Sequence, residues 1–69
     1  MKPQLSPGAK ITVYDHLRNE LGKGTFKVRE YQAERDLTVY ECEEHVMLAK
    51  GEHYILVAGK TFHIKSGQG

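Results

Sequence analysis

The sequence has no tryptophan and a single cysteine, Cys42, and none of its apolar runs approaches the length of a membrane-spanning helix. One cysteine excludes the intramolecular disulfide framework that stabilises many small secreted domains, and it favours a reducing compartment. A membrane-spanning helix needs about 20 apolar residues, and no apolar segment of signal-peptide type follows Met1. We therefore expect a cytoplasmic protein that does not associate with membranes.

The chain is also short, and its 69 residues suffice for one domain. A domain of this size buries only about 60% of the surface that its unfolded chain exposes, so its stability is marginal unless something adds to it. No disulfide within the chain can supply that stability. Pairing with a second copy of the chain is one way to gain it.

The formal net charge of +1 conceals an uneven distribution of charges. Residues 1–29 contain six basic and two acidic residues, whereas residues 30–69 contain four basic and seven acidic ones. Such a distribution indicates either a basic and an acidic face or solvated charges on short strands. The sequence alone does not separate these two interpretations.

Helical periodicity is weak throughout, and β-branched and aromatic residues alternate in short segments instead. We predict an all-β fold: a small single-domain β-barrel or β-roll, the size of an SH3-like or OB-like barrel, with five to six short antiparallel strands. Residues 1–9 form an N-terminal arm, residues 10–65 the domain, and residues 66–69 a flexible tail. Strands are predicted at 10–15, 25–32, 37–48 (one bent strand or two), 54–58 and 61–65.

Three glycines, Gly51, Gly59 and Gly67, are spaced eight residues apart. Eight residues are the length of a five-residue strand followed by a short turn. Too few units follow this spacing for a repeat architecture, which needs several stacked neighbours. We therefore interpret the glycines as turn residues, with the apolar segment 54–58 as a central buried strand between two of them.

One group of side chains contains the residue types that bind zinc. Cys42 and His45 are an odd number of residues apart, so only a turn at 43–44 would bring them together. Each histidine by itself is typical of a surface residue. The hypothesis of a metal- or small-ligand-binding β-roll rests on Cys42, His45, His53 and His63.

Signatures of catalysis are missing. The sequence has no nucleophile elbow, no phosphate-binding glycine loop and no dinucleotide fingerprint. Cys42 is followed by Glu43 and Glu44, which raise the pKa of a thiol and disfavour the nucleophilic thiolate. We expect no enzyme activity and no cofactor.

Nucleic-acid binding is an alternative, because small β-barrels bind single strands through basic grooves with aromatic stacking partners. Regular alternation in the segment 25–32 places Phe26 and Val28 on one face and the basic and tyrosine side chains on the other. If the first two strands pair, a basic and aromatic surface results. Its predicted members are Tyr14, Arg18, Lys23, Lys27, Arg29 and Tyr31.

Protein–protein interaction is our leading interpretation. Edge strands of small β-domains carry unpaired backbone groups that can bind a strand from another protein or from a second copy. We therefore expect a small non-enzymatic interaction module that acts as an adaptor, a subunit or a self-associating accessory protein.

Overall fold

The computed structural model describes residues 5–65, which form six β-strands in one antiparallel sheet. The predicted all-β fold is confirmed, and no helix within residues 5–65 is long and apolar enough to cross a membrane. The order across the sheet is β4-β3-β2-β1-β5-β6. The strands are β1 Lys10–Tyr14, β2 Glu20–Gln32, β3 Leu37–Cys42, β4 Val46–Lys50, β5 His53–Val57 and β6 Lys60–Ile64.

The sheet curls because two half-sheets share β2, which is thirteen residues long. The first half of β2 pairs with β1, and the second half, from Phe26 onward, pairs with β3 on its other side. β4 and β6 lie at the two ends of the strand order and do not pair with each other, so the predicted closure into a barrel is not confirmed.

One face of the curled sheet is buried and forms the core. A Cβ atom added at Gly22 would lie 2.9 Å from Sδ of Met47, so the first half of β2 packs against β4 although the two strands are not neighbours in the sheet. The curl therefore brings the buried faces of the two half-sheets together. The core consists of Ile11, Val13, Phe26, Tyr40, Cys42, Met47, Ala49, Ile55, Val57 and Ile64.

The turns match the sequence analysis at several positions. Gly51 and Gly59 have positive φ angles of 65° and 77° and lie in turns, as predicted, and Gly8 has a φ of 96° in a turn with Pro7. Gly67 and the rest of the predicted tail 66–69 lie outside the described residues, as do residues 1–4 of the predicted arm. Ala58 precedes Gly59 with a φ of 54°, which is the geometry of a two-residue type I′ hairpin.

The bounds of β2 differ most from the predictions, because β2 begins at Glu20 and not at residue 25. The segment 37–48 forms two strands, which is one of the two predicted alternatives, and β4 continues to Lys50. β5 is not fully buried as predicted, because Tyr54 and Leu56 are partly exposed on its outer face. It lies next to the end of the sheet, between β1 and β6.

Candidate interaction surfaces

Apolar side chains are exposed on the outer face of the half-sheet formed by the second half of β2, β3 and β4. The side chains of Val28, Val46 and Leu48 are 50%, 53% and 56% exposed. Val39 lies directly opposite Leu48 and diagonal to both Val46 and Val28, so apolar side chains of the three strands meet around Val39. We call this area the apolar outer face, and it consists of Val28, Leu37, Val39, Val46 and Leu48.

A β-bulge in β2 puts Val28 on this face. Phe26 pairs with Cys42 and Val28 pairs with Glu41, so Lys27 is an additional residue without a partner. The additional residue reverses the side-chain alternation from that point onward. The expectation that Phe26 and Val28 share one face is therefore wrong: Phe26 is buried in the core, and Val28 points outward.

β4 is an edge strand whose outward backbone groups can be assigned. The Cys42 amide donates to the His45 carbonyl at 2.9 Å, and the Gly51 amide donates to the Asp36 carbonyl at 2.7 Å. Because hydrogen-bonded and non-hydrogen-bonded pairs alternate in an antiparallel ladder, Met47 and Ala49 direct their backbone groups toward β3. The alternate residues Val46, Leu48 and Lys50 direct their N–H and C=O groups away from β3.

Charged side chains lie within the apolar outer face and at its border. Glu41 lies between Val28 and Val46 in the register, and Glu30 lies opposite Val39. Lys50 lies beside Leu37 at the other end of β4. Glu44, in the β3–β4 turn, accepts hydrogen bonds at 2.8 Å from the amide and from the hydroxyl of Thr25. These hydrogen bonds lower the pKa of the Glu44 carboxyl below its ordinary value and fasten the turn to β2.

Three of the residues predicted to bind nucleic acid lie on the outer face of the other half-sheet. Tyr14 pairs with Tyr54, and Lys23 pairs with Thr12. The guanidinium of Arg18 lies 4.5 Å from the centre of the Tyr54 ring. The other side of the cluster is formed by His63, whose ring stacks on Tyr54 with centroids 4.6 Å apart and an interplanar angle of 14°.

Arg18 is held in this position by a constrained turn. Its φ of 66° lies in the left-handed region, where residues with a Cβ atom are strained. The Asp15 side chain organises the turn by accepting hydrogen bonds from the amides of Leu17 and Asn19 at 2.9 and 2.8 Å. The Asn19 amide makes the largest contribution to the lowered pKa of the Asp15 carboxyl, and burial opposes it.

The other three predicted nucleic-acid-binding residues lie elsewhere, because they follow the bulge. Lys27 is exposed at the bulge itself. Arg29 is half-buried and pairs with Tyr40, on the buried face of the sheet. The Tyr31 hydroxyl donates to Oδ1 of Asp36 at 2.8 Å. The six predicted side chains therefore do not form one surface.

The residues of the metal-site hypothesis are also distributed over the fold. Cys42 and His45 flank the β3–β4 turn, where Cys42 is buried and His45 is exposed. Burial, followed by the charge of Glu44, raises the pKa of the Cys42 thiol. His63 is exposed, and its Nε2 contacts the Glu52 carboxylate. Within residues 5–65, no three His, Cys, Asp or Glu side chains are arranged to hold a metal ion.

His53 is buried rather than on the surface as expected, since only 1% of it is exposed. Its Nδ1 lies 2.8 Å from the Gly51 carbonyl, which can only accept, so Nδ1 carries the proton. Its Nε2 then accepts from the Tyr40 hydroxyl at 2.6 Å. Burial is the main cause of the lowered pKa of His53, and it also raises the pKa of Tyr40 to about 12, an effect that Arg29 partly offsets.

Two features of these surfaces were missed in the sequence. The alternation of Ile55 and Val57 extends one step back to His53, which places that histidine on the buried face. The stacking of Tyr54 and His63 requires the register of the β5–β6 hairpin. That register follows from the two-residue turn at Ala58 and Gly59, whose sequence is not one of the typical hairpin signals.

Comparison of this chain with protein family models, with curated proteins and with solved structures finds no match.

Proposed function

We propose that this protein is a small non-enzymatic protein-interaction module whose partner adds a β-strand to the edge of β4. The observation that supports this function is the combination of an apolar outer face with outward backbone groups on the same edge strand. Val46 and Leu48 belong to both features. Added strands gain affinity from main-chain hydrogen bonds and specificity from alternate side chains.

The opposite edge of the sheet differs in a way that favours β4 as the binding edge. Polar and charged residues protect exposed edges from unwanted pairing, and the exposed outer-face residues of β6 are Thr61 and His63. The exposed outer-face residues of β4 are Val46, Leu48 and Lys50, so this edge has two apolar side chains and one charged side chain. A protein without a partner for β4 would gain solubility from polar side chains there.

The chemistry of β4 specifies the partner strand. It should place an apolar side chain beside Leu48 on the outer face and a basic side chain near Glu41, next to Val46.

We also propose a cytoplasmic location, which is supported by the single, buried cysteine Cys42.

Site-specific photo-crosslinking in cells that make the protein tests this function. A benzophenone amino acid replaces Leu48 on the β4 edge in one variant and Thr61 on the β6 edge in a matched control. We expect protein adducts from position 48 and few from position 61, because both side chains are exposed but only one borders the apolar outer face. Adducts of equal yield from both positions, or none from position 48, would contradict the proposal.

Nucleic-acid binding is a second candidate, and the position of Arg18 favours it. The strained backbone of Arg18 holds its guanidinium beside Tyr54, with Lys23 on the same outer face. Strain at an exposed turn is a reason to look for a function there. Both sides of the Tyr54 ring are already in contact with Arg18 and His63, so a base would have to displace one of them.

Fluorescence anisotropy with labelled single-stranded and duplex oligonucleotides at two salt concentrations tests this second function. Arg18→Gly is the informative variant, because glycine fits the positive φ of that position and leaves the turn intact. Binding that depends on Arg18 should weaken in this variant and lose part of its salt dependence. Affinities that are equal in the two proteins would exclude a role for Arg18.

A further inference from the structure

We infer that the partner strand is β4 of a second copy of this chain, paired about a two-fold axis at Leu48. This inference rests on the proposed interaction function and names its partner. The features that support it are the outward backbone groups of Val46, Leu48 and Lys50 and the charges at the two ends of β4.

The register follows from the symmetry of the strand. β4 has five residues, so an antiparallel pair of copies overlaps along its full length only when Leu48 lies opposite Leu48. Val46 of each copy then lies opposite Lys50 of the other. All three outward residues form hydrogen-bonded pairs in this register, which gives about six backbone hydrogen bonds between the two copies.

The side chains are complementary in the same register. The two Leu48 side chains meet at the centre of the outer face, and each Lys50 lies across the new strand pair from Glu41 of the other copy, next to Val46. The Cα atoms of Glu41 and Lys50 are then about 10 Å apart, two strand spacings, which a lysine and a glutamate side chain together can bridge. A two-fold axis repeats this contact, so one surface complements itself.

One acidic contact opposes the pairing. Beyond the strand ends, this register brings Glu44 of one copy toward Glu52 of the other. Glu44 accepts hydrogen bonds from Thr25, and Glu52 contacts His63, but Thr25 is neutral and leaves the charge of Glu44 in place. Both glutamates are exposed, so solvent and salt screen their repulsion, and the Lys50–Glu41 contacts act in the opposite direction.

The size of the contact sets the expected affinity. One pair of five-residue strands and a few apolar side chains bury less surface than a standard interface of about 1,600 Å². We therefore expect a reversible dimer with a dissociation constant in the micromolar range, on the order of 10 to 100 µM.

Sedimentation velocity of the purified full chain between about 1 and 500 µM tests the inference across that range. The mass should rise from 7.8 kDa toward twice that value as the concentration increases. Leu48→Lys places two like charges at the two-fold axis and should raise the dissociation constant about tenfold or more. Thr61→Lys on the β6 edge is the matched control and should leave the mass profile unchanged.

A charge exchange tests the register itself. Lys50→Glu and Glu41→Lys should each weaken the dimer, and the double variant should restore it, because only a two-fold pair brings position 50 of one copy to position 41 of the other. Circular dichroism checks that each variant retains the native strand content, as expected because Glu41 and Lys50 are exposed.

Each outcome decides the inference. A monomer at every concentration, a dimer that Leu48→Lys does not weaken, or a double variant that is no better than either single one overturns it. A monomeric wild-type chain that still gives position-48 adducts with a different protein would refute the second copy and leave the interaction function standing. A monomeric chain without such adducts would refute both.

Discussion

Replacing Tyr40 with phenylalanine removes one hydroxyl group from the centre of the fold. Tyr40 is fully buried, and its hydroxyl is the hydrogen-bond donor for Nε2 of His53, which is itself 1% exposed. No buried side-chain nitrogen or oxygen in the described part of the chain lacks a hydrogen-bond partner. In Tyr40→Phe, Nε2 would be the first, and a buried polar atom without a partner costs about 1–3 kcal/mol.

Chemical denaturation at pH 7.5 measures this loss in the free energy of unfolding. For a domain of this size, each kcal/mol corresponds to about 4–8 °C in Tm, so a thermal scan shows the same effect. A loss below about 0.5 kcal/mol would refute the reasoning, because the hydrogen bond would then add no more than an exposed contact does.

The pH dependence of stability tests the protonation state of His53. Its pKa is lowered in the folded protein from 6.5, so the unfolded chain binds the proton more readily. The contribution to stability is therefore complete above pH 6.5 and decreases as the pH falls below it, by at most about 1.4 kcal/mol per pH unit. His53→Gln should remove this slope, whereas His16→Gln, at an exposed loop position, should keep it. A wild-type slope that persists in His53→Gln would contradict a neutral, buried His53.

Four further substitutions test the turns and the close contacts of the fold. Ala58→Gly should raise the free energy of unfolding by about 0.5–1 kcal/mol, because a φ of 54° strains a residue with a Cβ atom. Gly59→Ala should lower the free energy of unfolding, because the φ of 77° strains alanine although no atom lies within 4 Å of the new Cβ. A thermal unfolding experiment in which the Tm of both variants shifts in the same direction would contradict this explanation. Gly24→Ala should destabilise the protein by about 1–3 kcal/mol, because its Cβ would lie 3.0 Å from Cβ of Cys42; an unchanged urea midpoint would disprove this close contact. Glu44→Gln should be less stable than the wild type at neutral pH. The difference should vanish as the pH falls below the ordinary pKa of 4.5 and through the lowered pKa of the Glu44 carboxyl. A difference in stability that persists in acid would contradict a role for the charge of Glu44.

Local alternation predicted most strands because it depends only on which side chains prefer a half-buried surface. Ile11 and Val13 in β1 are buried as their spacing predicts. The turn at 43–44 separates β3 from β4, which is the two-strand alternative predicted for the segment 37–48. These features involve residues that are close together in the chain, so the sequence contains the information directly.

The outer faces could not be predicted in the same way. The bulge at Lys27 reverses the alternation, and neither a glycine nor a proline marks it. Every residue after it, including Arg29 and Tyr31, therefore lies on the face opposite to the expected one. The predicted basic surface combined residues before and after the bulge. The register of β2 and β3 places these residues on opposite faces, so they cannot form one surface.

Long-range pairing was the other limit. The choice between an open sheet and a closed barrel depends on whether β4 and β6 meet, and no local pattern contains that information. The buried environment of His53 depends on Tyr40, which comes from another strand. Contacts of this kind follow from the assembled sheet and not from any single segment.

The two ends of the sheet differ in polarity, and this difference determines how far assembly can proceed. A sheet with two apolar edges could add copies at both ends without limit and would form a fibre. Here the exposed outer-face residues of β6 are Thr61 and His63, while those of β4 are Val46, Leu48 and Lys50. Once two β4 edges have paired, both outer ends of the combined twelve strands are polar β6 edges. Such an assembly therefore stops at two copies. The side chains that limit it belong to β6, a strand that takes no part in the contact between the copies.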